Sequence, residues 1–243
     1  MNKTSQYEFT ILIPVFDEEE NLLRVEKEMA EYLRIALMKS CVVFINDGSR
    51  DNSLKLIQEI CNRQPDMFYL SFDKNRQKSA VLKAGFDYTF SNYVGYIDAD
   101  LQTIPQDFNL LLKYAPDYAM VNGTRVSRQD SLGKKISSKI GNGFRRMMIN
   151  DGIQDTGCPL KVMKTEYAKR MPLFTGMHRF LPALIQYQDG GEVKQIPINH
   201  FPRTAGVSKY NLWNRLLGPL NDCFSVRWIK NRYINYTIGQ TDL

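Results

Sequence analysis

The sequence predicts an α/β protein, a mostly parallel sheet wrapped by helices. Three observations carry this. Short β-rich apolar runs alternate with stretches of helical spacing through the first half of the chain, the order that builds parallel sheets. Each run is apolar nearly throughout, as in strands buried on both faces. Polar residues gather where the strands end, and an open α/β sheet binds its ligands outside those carboxyl ends.

Taken in order, Phe9 to Val15 is the first strand. Glu19 to Met38 is the first helix, with apolar residues at Leu22, Leu23, Met29, Leu33 and Leu37. Cys41 to Ile45 is the second strand and Asp51 to Asn62 the second helix. Met67 to Phe72, Ser79 to Tyr88 and Tyr93 to Ile97 continue as strand, helix and strand. The second half is less regular. Tyr118 to Gly123 and Val193 to Ile198 read as strands and Ile140 to Ile149 as a helix. Arg125 to Ser138 is polar and basic and includes Gly133, so it reads as a loop or a short helix.

A chain of 243 residues holds one sizeable α/β domain. With 43% hydrophobic and 24% charged residues, the disordered and fibrous classes are excluded. The net charge of +6 points to an anionic partner. Nucleotides, phospholipid surfaces and nucleic acids all qualify. RNA-binding aromatic motifs are absent, so nucleic acid is not the expected partner. Cys41, Cys61, Cys158 and Cys223 are scattered, with no CxxC pair, and read as reduced thiols of a cytoplasmic protein. The first residues carry no signal-peptide pattern, and no apolar run is long enough to span a bilayer. The expected location is the cytoplasm, with peripheral contact at the inner face of the membrane.

Three strand exits are acidic: Asp17 and Glu18, then Asn46-Asp47-Gly48-Ser49, then Asp98-Ala99-Asp100. For Asp17, Ser49 and Asp51, ligand contact and simple capping of the following helices are both open readings. Asp98 and Asp100, at i and i+2, leave a strand on one face. Their oxygens can converge on a single cation, and such hard donors suit Mg²⁺ or Mn²⁺ completed by substrate phosphates. A cation there would bridge the diphosphate of a nucleotide sugar and stabilise the charge on the leaving group.

The opening Ile13-Pro14-Val15-Phe16-Asp17-Glu18-Glu19-Glu20-Asn21 resembles the first motif of family 2 glycosyltransferases. Asn46-Asp47-Gly48-Ser49 with Asp51 and Ser53 resembles their second motif, and Asp98-Ala99-Asp100-Leu101-Gln102 the metal motif of the dolichyl/polyprenyl-phosphate sugar synthase branch. Gly123-Thr124-Arg125, Asp155-Thr156-Gly157-Cys158 and Arg203-Thr204-Ala205-Gly206-Val207-Ser208-Lys209-Tyr210 follow in the family's order. The resemblance implies a GT-A fold, Rossmann-like, with a mixed, mostly parallel sheet. It would span residues 1–210, with a short helical appendage at 211–243.

The resemblance also implies roles. Pro14, Asp17 and Glu18 line the nucleoside pocket, and Asp47 contacts the base or ribose. Asp98 and Asp100 bind metal and diphosphate, with Gln102 nearby. Arg125 faces a phosphate, and Arg128 lies in an acceptor loop. Arg203, Ser208 and Lys209 contact phosphates of donor or acceptor. The family opening usually has Asn where this chain has Asp17; both accept a hydrogen bond, but only Asn also donates one.

The implied reaction is an inverting displacement from a nucleoside-diphosphate sugar to a polyprenyl phosphate. That acceptor, with a second pKa of about 6, is already a dianion near neutral pH and needs no base. The chain fits this in having two histidines, His178 and His200, and no acid–base dyad. Asp155 as base for a saccharide hydroxyl, in polysaccharide or lipopolysaccharide assembly, is the alternative within the class. A non-catalytic nucleotide-binding protein is the alternative outside it. Beyond Tyr210, tryptophans and Phe224 are interspersed with Arg215, Arg227, Lys230 and Arg232. This basic amphipathic segment suits a membrane interface, a helix packed on the domain or a dimer contact. Gly218 and Pro219 interrupt it, which argues against one long helix.

Overall fold

In the computed structural model of the chain, residues 2–126, 141, 143–202, 212–235 and 239–240 are described, with the backbone alone for 212–220. Among these residues the strands are β1 (Phe9–Val15), β2 (Ser40–Asn46), β3 (Met67–Ser71), β4 (Tyr93–Tyr96), β5 (Met120–Arg125), β6 (Lys161–Lys164) and β7 (Val193–Ile198). The helices are α1 (Glu19–Ile35), α2 (Ser53–Arg63), α3 (Gln77–Tyr88), α4 (Phe108–Leu112), α5 (143–149), α6 (Thr165–Arg170), α7 (Leu181–Gln186) and α8 (Leu212–Lys230).

The strands form one sheet in the order β3-β2-β1-β4-β6-β5-β7. β1 pairs in parallel with β2 and with β4, β2 with β3, and β5 with β7. Only β6 runs against its neighbours β4 and β5. The mixed, mostly parallel sheet expected from the sequence is therefore present. From β1 the chain winds outward to β2 and β3, then returns to place β4 on the other side of β1. That reversal opens a crevice between the carboxyl ends of β1 and β4.

Residues alternate across β1 and build two cores. Phe9, Ile11, Ile13 and Val15 face Leu22, Val25, Met29, Ile57 and Phe108 of α1, α2 and α4. Leu12 faces the opposite way, into a cluster with Ile45, Val81, Leu82, Phe86 and Val94 beside α3. Each such side chain contributes about 1.5–3 kcal/mol on burial. Gly95 in β4 is required by the packing: a Cβ there would lie 2.4 Å from the Lys161 carbonyl oxygen and 2.9 Å from Phe9 Cζ.

Some expectations need correction. The β2 residues are all buried, but β3 beyond Met67 alternates between half-buried and exposed positions and β7 is mostly half-buried, because these two strands form the edges. The first helix stops at Ile35, where Ala36 turns extended and the Leu37 amide donates to Asn109 Oδ1 at 3.1 Å. β6, α4, α6 and α7 lie outside the sequence expectation. α8 runs unbroken through Gly218 and Pro219. An interior proline costs a helix about 3 kcal/mol, and tertiary packing offsets this. Cys223, Val226 and Ile229 enter the second core, and Arg179 pairs with Asp222 at 3.7 Å. Of the readings open for this segment, packing on the domain is the one observed. No helix of the described residues is long and apolar enough to cross a membrane.

Ile229→Ala should lower the stability of the main urea unfolding transition by about 2 kcal/mol or more. A helix docked only loosely would leave that transition where it was.

Candidate active site

The β1 and β2 exits are tied together by side chains bonding to backbone. The Asp17 amide donates to Ser49 Oγ (3.0 Å), the Glu18 amide to Ser53 Oγ (2.9 Å) and the Glu19 amide to Asp51 Oδ2 (3.1 Å). In return the Arg50 amide donates to Asp17 Oδ1 at 2.7 Å. Ser53 and Asp51 thus cap the first amides of α1 from the neighbouring loop, and Asp51 Oδ1 also accepts the Ser53 amide at 2.9 Å. Capping is the role the structure displays for Asp51, whereas Ser49 ties the two loops through the Asp17 amide. Burial acts to raise the Asp51 carboxyl, but hydrogen bonds from Ser53 and Glu19 outweigh it and hold it below its ordinary range. Asp17 itself sits in the left-handed region at φ 49°, a conformation that Asp and Asn tolerate best among side-chain-bearing residues.

The second motif is a knot of the same kind. Asn46 Oδ1 accepts the Ser49 amide at 3.2 Å. Gly48 has φ +66°, and a Cβ there would lie 2.5 Å from the Lys74 backbone. Asp47 is buried and caps α3, accepting the Arg76 amide (2.6 Å) and the Gln77 amide (3.0 Å). Burial raises its pKa against those two bonds. Pro14 occupies the one stretch of β1 that tolerates it. The Ile97 amide donates to the Leu12 carbonyl, so Leu12 and Pro14 face β4, and β4 pairing stops at Leu12. A missing N–H there costs no ladder bond.

At the β4 exit, Asp98 forms an ion pair with Lys78 from the first turn of α3. Asp100 is buried, and its Oδ1 accepts the Gln102 amide at 3.2 Å while Leu101 turns through φ 46°. Gln102 faces the segment that leads to the late basic motif: the Phe201 amide donates to its carbonyl at 2.8 Å, and its Nε2 to the Phe201 carbonyl at 3.4 Å. Because β6 is reversed, the 155–158 turn that precedes it lies at the same edge as the β5 exit. There Arg125 grips Asp155 bidentately, Nε to Oδ2 at 2.7 Å and Nη2 to Oδ1 at 2.9 Å. His178 Nδ1 lies 2.9 Å from Ser79 Oγ, next to Lys78 in sequence. Burial, then the nearby Lys78, Arg179 and Lys161 charges, push this imidazole far below its usual range, so it is neutral. His200 is half-buried just before Phe201. Arg128, Arg203, Ser208 and Lys209 lie outside the described residues.

Asp98 and Asp100 suit a hard divalent cation in donor chemistry, and the Lys78 ammonium already marks positive charge as favoured at Asp98. Among the described residues no group of three or more His, Cys, Asp or Glu side chains could hold a metal. A pair of carboxylates alone suits Mg²⁺, which commonly completes its shell with substrate oxygens and water. Lys78 was not anticipated from the sequence. A cation in the first turn of a helix opposes the helix dipole, and that anomaly is the signal that would have singled it out. Lys161, in the run Leu160 to Met163, was also missed; a lone lysine among apolar strand residues was its signal.

The sequence profile of glycosyl transferase family 2 matches residues 10–171. This chain belongs to that family. An undecaprenyl-phosphate 4-deoxy-4-formamido-L-arabinose transferase from Pectobacterium atrosepticum is 31% identical over 207 residues, covering 83% of this chain and 62% of that protein. The protein of the same description from Yersinia pestis is 29% identical over 217 residues, with 88% and 65% covered. The chain thus spans less than two thirds of the length of these curated relatives. Among solved structures, glucosyl-3-phosphoglycerate synthase from Mycobacterium tuberculosis with phosphoglyceric acid aligns at TM-score 0.68, 12% identity, 97% of this chain and 84% of that one. The same enzyme with Mn²⁺ and UDP-glucose aligns at TM-score 0.68 and 14% identity, covering 97% and 83%. These likenesses show that the family 2 chain shares their fold.

Asp51→Ala should lower stability at neutral pH by about 1–2 kcal/mol, the usual worth of a cap. The depressed Asp51 carboxyl contributes stability above the ordinary Asp value of about 3.9, and loses it as pH falls through its lower folded value. The urea midpoints of parent and variant, apart at pH 7, should converge upon acidification.

Proposed function

We propose that this chain transfers a sugar from a nucleoside-diphosphate sugar to a polyprenyl phosphate, with inversion at the anomeric carbon. One observation carries the choice of acceptor. The crevice is rich in fixed cations, and its two candidate bases are compromised: Asp155 is chelated by Arg125, and His178 is a buried, weakly basic imidazole. A hydroxyl acceptor must lose a proton as it attacks. A phosphate dianion needs only positioning and charge compensation. The relatives named for undecaprenyl phosphate support the same reading.

In the proposed reaction an oxygen of the acceptor phosphate attacks the anomeric carbon. The bond from that carbon to the donor diphosphate breaks, and its electron pair leaves with the nucleoside diphosphate. No proton moves. The cross-tied β1 and β2 exits present Pro14, Asp17, Glu18 and Asp47 as the walls of the nucleoside pocket. Asp98 and Asp100 would hold a divalent cation, Mg²⁺ or Mn²⁺, which when bound would supply charge neutralisation for the leaving diphosphate. Arg125 and Lys78 offer charge-assisted contacts to phosphate oxygens, and Arg128, Arg203, Ser208 and Lys209 are assigned to the same task from sequence.

The acceptor tail implies peripheral contact with a membrane, and α5 and α8 supply a suitable face. Met147, Phe224 and Trp228 are 70%, 57% and 59% exposed, and Phe144 packs edge-on against Phe224 at 6.1 Å. Arg146 and Arg227 are exposed beside them, and Arg232 lies 5.0 Å from the Trp228 ring. Exposed aromatics rimmed by arginine fit an anionic lipid interface.

Incubation with a panel of nucleotide sugars, Mg²⁺ or Mn²⁺ and undecaprenyl phosphate, scored by product mass, should yield the glycosylated lipid phosphate. Asp100→Ala should cut turnover by about a hundredfold or more. Products formed only on saccharides would overturn the acceptor assignment. Separately, the double variant Phe224→Glu and Trp228→Glu should bind anionic vesicles at least roughly tenfold more weakly in sedimentation, a loss of about 1.4 kcal/mol or more.

A further inference from the structure

Lys161 has no place in the chemistry assigned above, yet it lies directly beneath it. Its side chain is fully buried in β6. The ammonium donates to the carbonyl oxygens of Cys158 and, at 3.2 Å, Thr156, and stands 5.6 Å from the centre of the Tyr96 ring. Lys78, which pairs with Asp98, stands 5.2 Å from the same ring. Among the described residues, the contacts of the Lys161 ammonium are neutral carbonyls and a ring.

The two carbonyls belong to the turn that carries Asp155, and Asp155 in turn aims Arg125. Asn122 Nδ2 holds the same turn from β5, donating to the Asp155 carbonyl at 3.1 Å. A Cβ on Gly157 would sit 3.3 Å from Arg125 Nη2, so the turn wraps closely around the guanidinium. Lys161 therefore acts on Arg125 at one remove, by holding the turn that holds its partner.

This arrangement is costly to the fold. Burial, opposed in part by the Cys158 thiol and Asp155 and reinforced by Arg125 and Lys78, lowers the Lys161 pKa from 10.5 to about 8. The unfolded chain holds that proton more tightly, so the charged form weighs against folding below about pH 8 and the penalty is relieved as pH rises through the gap. An uncharged residue of similar length would fill the space without that penalty. A buried charge kept at such a cost has its explanation in the site above it.

We propose that Lys161 is a positioning residue for phosphate binding: its ammonium sets the 156–158 turn so that Asp155 presents Arg125 to the substrate phosphates, and its charge adds to the positive potential at the crevice. The inference rests on the transferase reading for its acceptor but not for its phosphate. The groups that face Lys161 are Tyr96 from β4, Asp155 and Cys158 from the turn, Arg125 from β5, Lys78 from α3 and the neutral His178 before α7.

The test follows wild type, Lys161→Met and Lys161→Arg from pH 6.5 to 9.5. Two readouts are used: kcat/KM for undecaprenyl phosphate, and calorimetric binding of inorganic pyrophosphate with Mg²⁺. In the wild type both should weaken as pH rises through about 8. At pH 7 Lys161→Met should lose roughly tenfold to a hundredfold in kcat/KM, mainly through acceptor KM, and its alkaline decline should vanish. Lys161→Arg should recover part of the loss and shift the decline upward. A wild type whose pyrophosphate affinity is flat from pH 7 to 9 overturns the proposal even if no variant folds. So does a folded Lys161→Met that keeps the wild-type decline. Wild type that binds pyrophosphate as expected but makes no lipid product overturns the acceptor reading and leaves the Lys161 role supported.

Discussion

Everything at the crevice depends on β1 pairing in parallel with β2 on one side and β4 on the other. Parallel strands cannot be joined by a tight turn, so each pairing forces a helix across a face of the sheet and sends the next exit to the same edge. Asp17, Asp47 and Asp98 are thereby delivered side by side although the chain separates them widely. The same geometry leaves the first amides of α1 and α3 exposed at that edge. The neighbouring loops supply the missing acceptors: Ser53 and Asp51 for α1, Asp47 for α3. The same bonds that cap the helices tie these loops to one another.

The reversed strand β6 extends this logic to the other half. By running against β4 and β5 it brings the turn before it to the crevice edge, where Asp155 meets Arg125. Two ion pairs then flank the opening, Asp98 with Lys78 and Asp155 with Arg125. The Arg125–Asp155 pair is largely withdrawn from water, the Lys78–Asp98 pair partly open to it, and each holds a cation at the crevice edge. Charges already paired and oriented need little rearrangement when substrate arrives, the condition under which electrostatic stabilisation is most effective.

How much of this could be read from the residues varied with their surroundings. β1 and β7 agree in both bounds: the apolar run of β1 with polar ends admits one interpretation, and β7 keeps β-branched residues at both ends. The end of α1 was misplaced because Leu37 keeps the helical spacing while its amide is claimed by Asn109, a contact from another part of the chain. β6 was invisible: four residues bracketed by lysines carry no periodicity, and their strand character comes wholly from partners β4 and β5. The carboxylates at the exits were legible because topology alone positions them. The partners of Arg125 and Asp98 were not, because a salt bridge between distant residues leaves no local pattern. Gly218 and Pro219 misled in the opposite direction, a real local penalty being outweighed by packing.

The continuity of α8 also bears on how the molecule comes into being. Its inner side supplies Cys223, Val226 and Ile229 to the core layer that covers one face of the sheet. During synthesis, β1 to β4 and the helices between them emerge first and can dock early. The layer over their second face stays unfinished until residue 229 has cleared the ribosome, leaving apolar surface around Phe180 and Leu184 open to solvent or to a chaperone in the meantime. α8 is thus a closing piece for this core layer, and a nascent chain halted before it would expose an unfinished core.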